Sequence, residues 1–322
     1  DAVFSGGIQR IVERRLERVP ERSRLLLQQV ALLGRVLDLP VVKALSQRNI
    51  LVAPLHQRDY STLDDWLATC ADATMLEVHE GHWRFVHDKL REGVLATIDT
   101  SDSLVLHHDV ALALEQVYPD SSAHVVALAH HWGIVGDYEK IIHYNTLAAE
   151  QALRNGVNRP AKGFVQQALA ALTVLDPQHT IEELVRPFID LVLKLSKASM
   201  DQPSDDVLQY LHDALAVAEV LGDEGLQARV LNSTGAYHFI TGQLGKALGY
   251  FNRSIPLAEK LELEELLPLS YNIVGQSLYV QGNLPRATRM VYKGIGLSER
   301  YHELDLLSSS LAVYASSLSM LG

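Results

Sequence analysis

The sequence predicts a mainly α chain, in which a small module of helices and one β-hairpin is followed by an α-solenoid. Three observations predict it. The C-terminal part aligns with itself at an offset of 40: Leu226 falls on Leu266 and Leu306, Asn232 on Asn272, Gly235 on Gly275 and then Ala315, and Gly242 on Gly282 and Gly322. Self-similarity at one fixed period marks stacked supersecondary units. The run MLEVHEGHWRFVHD alternates apolar and polar residues around Glu80-Gly81, the pattern of a tight hairpin. Hydrophobic residues make up 48% of the 322, aromatics only 7%, and Ala and Leu recur, which favours a buried helical core over disorder.

From the start of the chain, residues 8–33 read as a helical lead-in. There Arg10, Arg14, Arg15, Arg18, Arg22 and Arg24 alternate with Glu13, Glu17 and Glu21, as in i,i+4 charge pairing on an exposed helix. LLLQQVALLG gives a buried helix ending at Gly34, and LDLPVVKALS a second one with Asp38 as its N-cap. Ser61 precedes TLDDWLATC, a third helix with an acidic first turn. After the hairpin, Asp88 is expected to cap the helix DKLREGVLATI. Three helices, a hairpin and a further helix describe a winged-helix domain over residues 1–100.

Irregular helical hairpins are expected over 101–185. Ala129, Trp132, Gly136, Tyr138 and Ala148 make one of them, and Gly156 with Ala161 and Ala168 follows so closely that one long helix is expected to serve two hairpins. Pro160, Pro177, Pro187 and Pro203 are placed in loops or first turns. The repeat proper spans 186–322. Its first copy is weaker, with Tyr210, Val217 and Glu219 in phase with Tyr250, Leu257 and Glu259, but with Gln202 in place of the turn glycine. In the strong copies a small residue (Gly235, Gly275, Ala315) lies mid-helix where two helices cross closely, and a glycine ends that helix seven residues on. Ala247 or Ala287 then faces back across the hairpin, followed by Phe251 or Val291. This unit resembles the tetratricopeptide repeat, lengthened beyond that repeat's usual ~34 residues.

In such arrays the first helix of each unit lines a binding groove. The residues placed there by phase are Arg229, Asn232 and Phe239, then Asn272, Gln276 and Tyr279, with the asparagines pairing to the backbone of an extended protein or peptide partner. An ordinary solvated face is the plainer reading of the same residues.

The run from IQRIVERRLERVPERSRLLLQQVALLG through WRFVHDKLREGVLATI and LHHDVALALEQVYPD to AHHWGIVGDYEKIIHYNTLAAEQAL resembles the segment that follows the ATPase core in STAND-class bacterial signalling ATPases. These include LuxR-type regulators of the maltose-activator kind and multidomain kinases or cyclases. The most specific piece is FVHDKLRE, where Phe85, His87, Asp88, Arg91 and Glu92 match. The resemblance implies a winged helix packed on an ATPase domain in cis, with a histidine contacting the β-phosphate of bound ADP. That histidine maps onto His87, with Val86 where the family has methionine and Asp88 matching. It further implies ATP or ADP with Mg, and a nucleotide-dependent oligomer, in the full-length protein. A histidine bound only into a buried wing contact is the plainer alternative.

No G-x-x-x-x-G-K-[ST] occurs; GQLGKALG at 242–249 is the nearest string and falls in a repeat turn. The chain is therefore expected to be a non-catalytic fragment whose nucleotide-binding core lies upstream of Asp1. Residues 1–100 hold 13 Lys/Arg and 14 Asp/Glu, so 10 of the net −11 charges lie in 101–322, a poor surface for nucleic acid. A DNA-reading winged helix is the alternative, disfavoured by the acidic third helix. Cys70 is the sole cysteine, no apolar run is long enough to span a bilayer, and no signal peptide opens the chain, so a cytoplasmic location is expected. No metal site is expected. His79, His82 and His87 lie around one hairpin, and the adjacent pairs His107-His108 and His130-His131 point to different helix faces. The serines of LLSSSLAVYASSLSM sit at repeat positions and suggest no nucleophile.

Overall fold

The computed structural model describes residues 12–52, 62–120 and 122–321. Arg10, Ser61 and Gly322 lie outside the described residues. The chain divides into two compact units, Asp1–Leu147 and Ala148–Gly322, so the expected joining segment 101–185 is shared between them.

In the first unit a helical turn at 12–17 is followed by α1 (Glu21–Leu33). Pro20 separates them, so the Arg/Glu lead-in is broken into two pieces and is not one helix. α2 (Leu39–Val52) begins where Asp38 Oδ1 accepts from Val41 N at 3.3 Å, the cap expected there. α3 (Leu63–Asp72) is capped by Thr62, whose hydroxyl accepts from Asp65 N while the Asp65 carboxylate accepts from Thr62 N. β1 (Leu76–His79) and β2 (His82–Phe85) pair antiparallel, Leu76 opposite Phe85 and His79 opposite His82. Their turn is formed by Glu80 (φ 51°) and Gly81 (φ 78°), both left-handed, as a two-residue type I′ turn requires.

A short extended segment at 35–37 adds to this hairpin. Val36 pairs with Arg84, Leu37 N donates to Trp83 O at 2.8 Å, and Phe85 N donates to Arg35 O at 2.9 Å. α4 (Asp88–Leu95), α5 (Thr100–Val117), α6 (Val125–Val135) and α7 (Tyr138–Arg154) follow. One core joins Leu26, Leu27 and Val30 of α1 with Leu45, Trp66, Cys70, Phe85 and Val94. Trp66 buries its whole ring and still satisfies its indole N–H, which donates to Ser23 O at 3.2 Å. α7 fills the span between the left-handed glycines Gly136 and Gly156, so one helix does run between the two expected turns.

The second unit contains α8 (Asn158–Leu175), α9 (Glu182–Ala198), α10 (Asp205–Leu221), α11 (Glu224–Ile240), α12 (Leu244–Lys260), α13 (Leu267–Val280, entered through a 3₁₀ turn at Glu264–Leu266), α14 (Leu284–Arg300) and α15 (Leu304–Leu321). Helical starts at 224, 264 and 304, and at 244 and 284, reproduce the 40-residue period. Gly242 and Gly282 both take φ 76° at the turn inside a hairpin. A second recurring left-handed position lies between hairpins, at Gly222, Glu262 and His302.

A Cβ on Gly235 would come within 2.8 Å of the Phe251 ring, and one on Gly275 within 2.5 Å of Val291 Cγ1. These are the close crossings the small residues imply. Where Gln202 replaces the turn glycine, the tight connection of 241–243 is replaced by the longer 199–204. Pro187 is a correction: it lies inside α9 and not in a loop or first turn. Its missing N–H leaves the Glu183 carbonyl without a helical donor. Burial of Val185, Phe188, Ile189, Val192 and Leu195 holds the helix through it. Among the described residues, no helix is long and apolar enough to cross a membrane.

Candidate functional site

In the first unit, the FVHD stretch joins β2 to α4. His87, with extended backbone (φ −141°, ψ 144°), is the N-cap of α4, and Asp88 is its first helical residue. This corrects the expected cap: Asp88 is not it, and the His87 side chain makes no cap hydrogen bond. The His87 ring is exposed beside the first helical turn, where Leu90 N donates to the His87 carbonyl at 3.0 Å. Asp88 is exposed and pairs with Arg35 Nη1 at 3.3 Å, which ties α4 to the extended segment after α1. Arg91 donates from Nε to Ala31 O at 2.8 Å, and Glu92 pairs with Lys89, so both serve local structure.

In the second unit the six groove residues separate into two groups. The asparagines form part of a polar ladder inside the array. Ser270 donates to Asn232 Oδ1 at 2.5 Å, and Asn272 Nδ2 donates to Ser309 and Ser310 Oγ, both at 2.7 Å. The two contacts repeat one step of 40 residues apart, joining α11 to α13 and α13 to α15. Asn272 is only 1% exposed, so its amide serves the neighbouring repeat and not a ligand backbone, which corrects the expected pairing there. Gln276 Nε2 donates back to Asn272 Oδ1 at 2.7 Å, completing that amide. Arg229 is half-exposed and bonded to Glu265 at 2.7 Å.

Phe239 is exposed and Tyr279 half-buried, at the same phase of successive repeats. Beside them Ile240, Val280 and Met320, also 40 residues apart, are exposed at 39%, 84% and 66%. Of the six expected groove residues, Phe239 is exposed and Arg229 and Tyr279 are half-buried, next to this aliphatic row.

Ionic contacts repeat with the same period. Arg253–Glu219 (2.8 Å) recurs as Lys293–Glu259 (2.6 Å), and Lys260–Glu224 (2.5 Å) as Arg300–Glu264. Exposed pairs of this kind contribute only about 0.2–1 kcal/mol each, so they set register more than stability. Glu259 also accepts from the Tyr271 hydroxyl at 2.5 Å. Hydrogen bonds from Lys293 and Tyr271 outweigh burial and hold the Glu259 carboxyl below its ordinary range. Glu259, Tyr271 and Lys293 line a pocket of about 340 Å³ with Glu262 and Glu264.

Two clusters escaped the sequence reading. His238 is buried, stacks on Tyr250 at 5.3 Å, and lies near His212, which contacts the Tyr250 hydroxyl at 3.1 Å. His107, His130 and His131 converge in the first unit, although adjacent residues on a helix diverge. Spacing along one helix cannot reveal a ring supplied by a neighbouring helix.

No protein-family model and no curated protein matches the chain. Solved structures do. A Signal Transduction ATPase with Numerous Domains (STAND) protein with a tetratricopeptide repeat sensor, from Pyrococcus horikoshii, is 13% identical over 94% of this chain, with a TM-score of 0.38. The chain spans 54% of that protein's length. Aspartyl phosphate phosphatase F from Bacillus subtilis is 15% identical over 97% of this chain and 80% of its own, with a TM-score of 0.49. A Rap protein complexed with Competence and Sporulation Factor is 15% identical over 96% of this chain and 87% of its own, with a TM-score of 0.45.

Proposed function

We propose that this chain is the regulatory and protein-interaction region of a STAND-type signal-transduction ATPase, in which a winged helix couples nucleotide state to a repeat array that holds a protein or peptide partner. The observation that carries the interaction reading is the accessible row of the second unit. Phe239 and the half-buried Tyr279, flanked by the exposed Ile240, Val280 and Met320, recur at the repeat period, while the Asn272 amide is consumed internally and Asn232 Oδ1 accepts from Ser270. Exposed apolar residues in register suit the side chains of an extended peptide crossing successive repeats. Arg229 and Gln276 supply polar groups alongside.

The winged-helix reading is supported by the order helix, extended segment, helix, helix, hairpin, and by the pairing of residues 35–37 with the hairpin. Nucleotide coupling is supported by His87, exposed at the start of α4 where backbone N–H groups and the helix dipole favour a phosphate. ATP or ADP with Mg would be held by the ATPase domain in cis. The DNA-reading alternative is weaker: α3 exposes Asp64, Asp65 and Asp72 and carries no Lys or Arg.

Two tests separate these parts. Peptides selected from a displayed random library on the whole chain should converge on an apolar motif, and failure to enrich any would remove the interaction reading. In the longer protein that includes the ATPase domain, His87→Ala should weaken ADP retention by roughly 10–100-fold, the loss of one charge-assisted hydrogen bond. Unchanged ADP affinity would remove nucleotide coupling and leave the array as a free-standing scaffold.

A further inference from the structure

Three imidazoles meet between α5 and α6. His107 comes from α5, and His130 and His131 from α6. One ring nitrogen from each can be chosen so that all three lie within 4.8 Å of one another. Successive side chains on a helix diverge by about 100°, yet both rings of the adjacent pair reach His107: ring centroids are 5.7 Å apart for His107–His130 and 4.9 Å for His107–His131. Nδ1 of His107 and Nδ1 of His131 stand 2.8 Å apart. These two residues are buried, at 6% and 2% exposure, whereas His130 is exposed.

A buried hydrogen-bonded histidine pair accounts for His107 and His131 but gives His130 no part. The nearby carboxylate of Asp109 is engaged elsewhere, accepting from Gln29 Nε2 at 3.1 Å and lying 4.0 Å from His108. Among the described residues, no carboxylate is paired with any of the three rings.

We propose that His107, His130 and His131 form a binding site for a divalent transition-metal ion of the zinc class, with a fourth coordination position open to solvent beside His130. Imidazole is a preferred ligand of such ions, and three protein ligands plus an exchangeable water is an established zinc arrangement. Metal–nitrogen bonds of about 2.0–2.1 Å place tetrahedral ligand nitrogens about 3.3 Å apart, so the His107 and His131 nitrogens must separate by about half an ångström and the widest pair must close by up to about 1.5 Å, a ring rotation of exposed His130. Burial above all, then the neighbouring His107 and His130, pushes the His131 pKa down to about 3, and burial followed by His130 lowers that of His107. A metal takes the neutral imidazole, so the proton held between the two Nδ1 atoms would move to the Nε2 of its own ring when an ion binds. A bound ion would clamp α5 to α6.

The test uses the whole chain. Zinc chloride titrated against a chromophoric chelator should reveal one saturable site, and cobalt(II) should give the visible absorption of a tetrahedral nitrogen-ligated ion. His130→Ala removes an exposed ligand, so the fold should survive, as circular dichroism would verify. It should weaken zinc at least tenfold, abolish the cobalt band and remove any zinc-induced rise in melting temperature. His108→Ala, one residue from the cluster but outside it, should behave as wild type. The proposal is overturned if wild type takes up no stoichiometric zinc, if His130→Ala binds as tightly as wild type, or if binding is lost instead with His82→Ala at the hairpin.

Discussion

Replacing Gly275 by alanine sets two effects of opposite sign against each other. Helix propensity favours alanine by about 1 kcal/mol in the interior of α13. Packing opposes it, because the new Cβ would lie 2.5 Å from Val291 Cγ1 and 3.3 Å from the Val291 backbone nitrogen. Valine has one dominant rotamer in a helix, so it cannot swing aside, and α13 and α14 must separate. Overpacking of this kind costs about 1–3 kcal/mol, which leaves Gly275→Ala destabilised by about 1 kcal/mol. Gly249 in α12 is the control. It has open space around its Cβ direction, so Gly249→Ala should stabilise by about 0.5–1 kcal/mol. In a Val291→Ala background the 2.5 Å Cγ1 contact is removed and only the 3.3 Å approach to the backbone nitrogen remains, so Gly275→Ala should become close to neutral, a coupling within the ~0.5–3 kcal/mol seen for contacting residues. Urea unfolding followed by circular dichroism measures the wild type, the three single variants and the Gly275→Ala/Val291→Ala double variant. If Gly275→Ala stabilises the chain as Gly249→Ala does, the close crossing is not there and the reasoning fails.

Other perturbations follow from the same contacts. Asn272→Ala leaves the buried Ser310 hydroxyl without its amide partner, and should lower stability by about 1–3 kcal/mol in the same urea assay. Glu115 accepts from Lys140 (2.9 Å), Tyr144 (2.7 Å) and Trp132 (3.0 Å). Burial alone would raise its pKa, but these hydrogen bonds and the Lys140 charge prevail and hold it below the ordinary 4.5. A group with a depressed folded pKa stabilises fully above its unfolded value and loses that contribution as pH falls through the folded one. Glu115→Gln should thus cost about 2 kcal/mol at pH 7. Its deficit should shrink as pH drops below about 4.5, and a pH-independent deficit would contradict the assignment. The buried Cys70 thiol is pushed up to about 12 by desolvation, so its alkylation at neutral pH should track unfolding, and rapid labelling of the native chain would contradict that burial.

The period was legible because backbone geometry demands particular residues at some positions. Gly242 and Gly282 occupy left-handed turns, and Gly235 and Gly275 lie under Phe251 and Val291, so chemistry recurs where geometry recurs. The left-handed residues between hairpins share a phase too, but they are Gly222, Glu262 and His302, and no residue type betrays them. The hairpin was legible from alternation and its glycine. The strand-like 35–37 segment beside it was not, since three residues are too short to show a period.

At the candidate site, recurrence of Asn232 and Asn272 marked an important position without saying which way the amides faced. The signal that decides it was present: Ser270 and Ser310 follow at a constant interval of 38 residues, and a polar pair repeating across units points inward to a ladder. The histidine cluster lay beyond that kind of reading, because it depends on how α5 and α6 pack.

The proposed partner-binding row is separate from the asparagine ladder that joins successive repeats. The most direct test of that row is the affinity of one library-selected peptide for the wild-type chain and for Phe239→Ala/Tyr279→Ala, measured by titration calorimetry. Truncating aromatic anchors at an interface costs about 2 kcal/mol or more, so the double variant should bind at least ~30-fold more weakly while circular dichroism shows it still folded. Equal affinity for the two proteins would contradict the account.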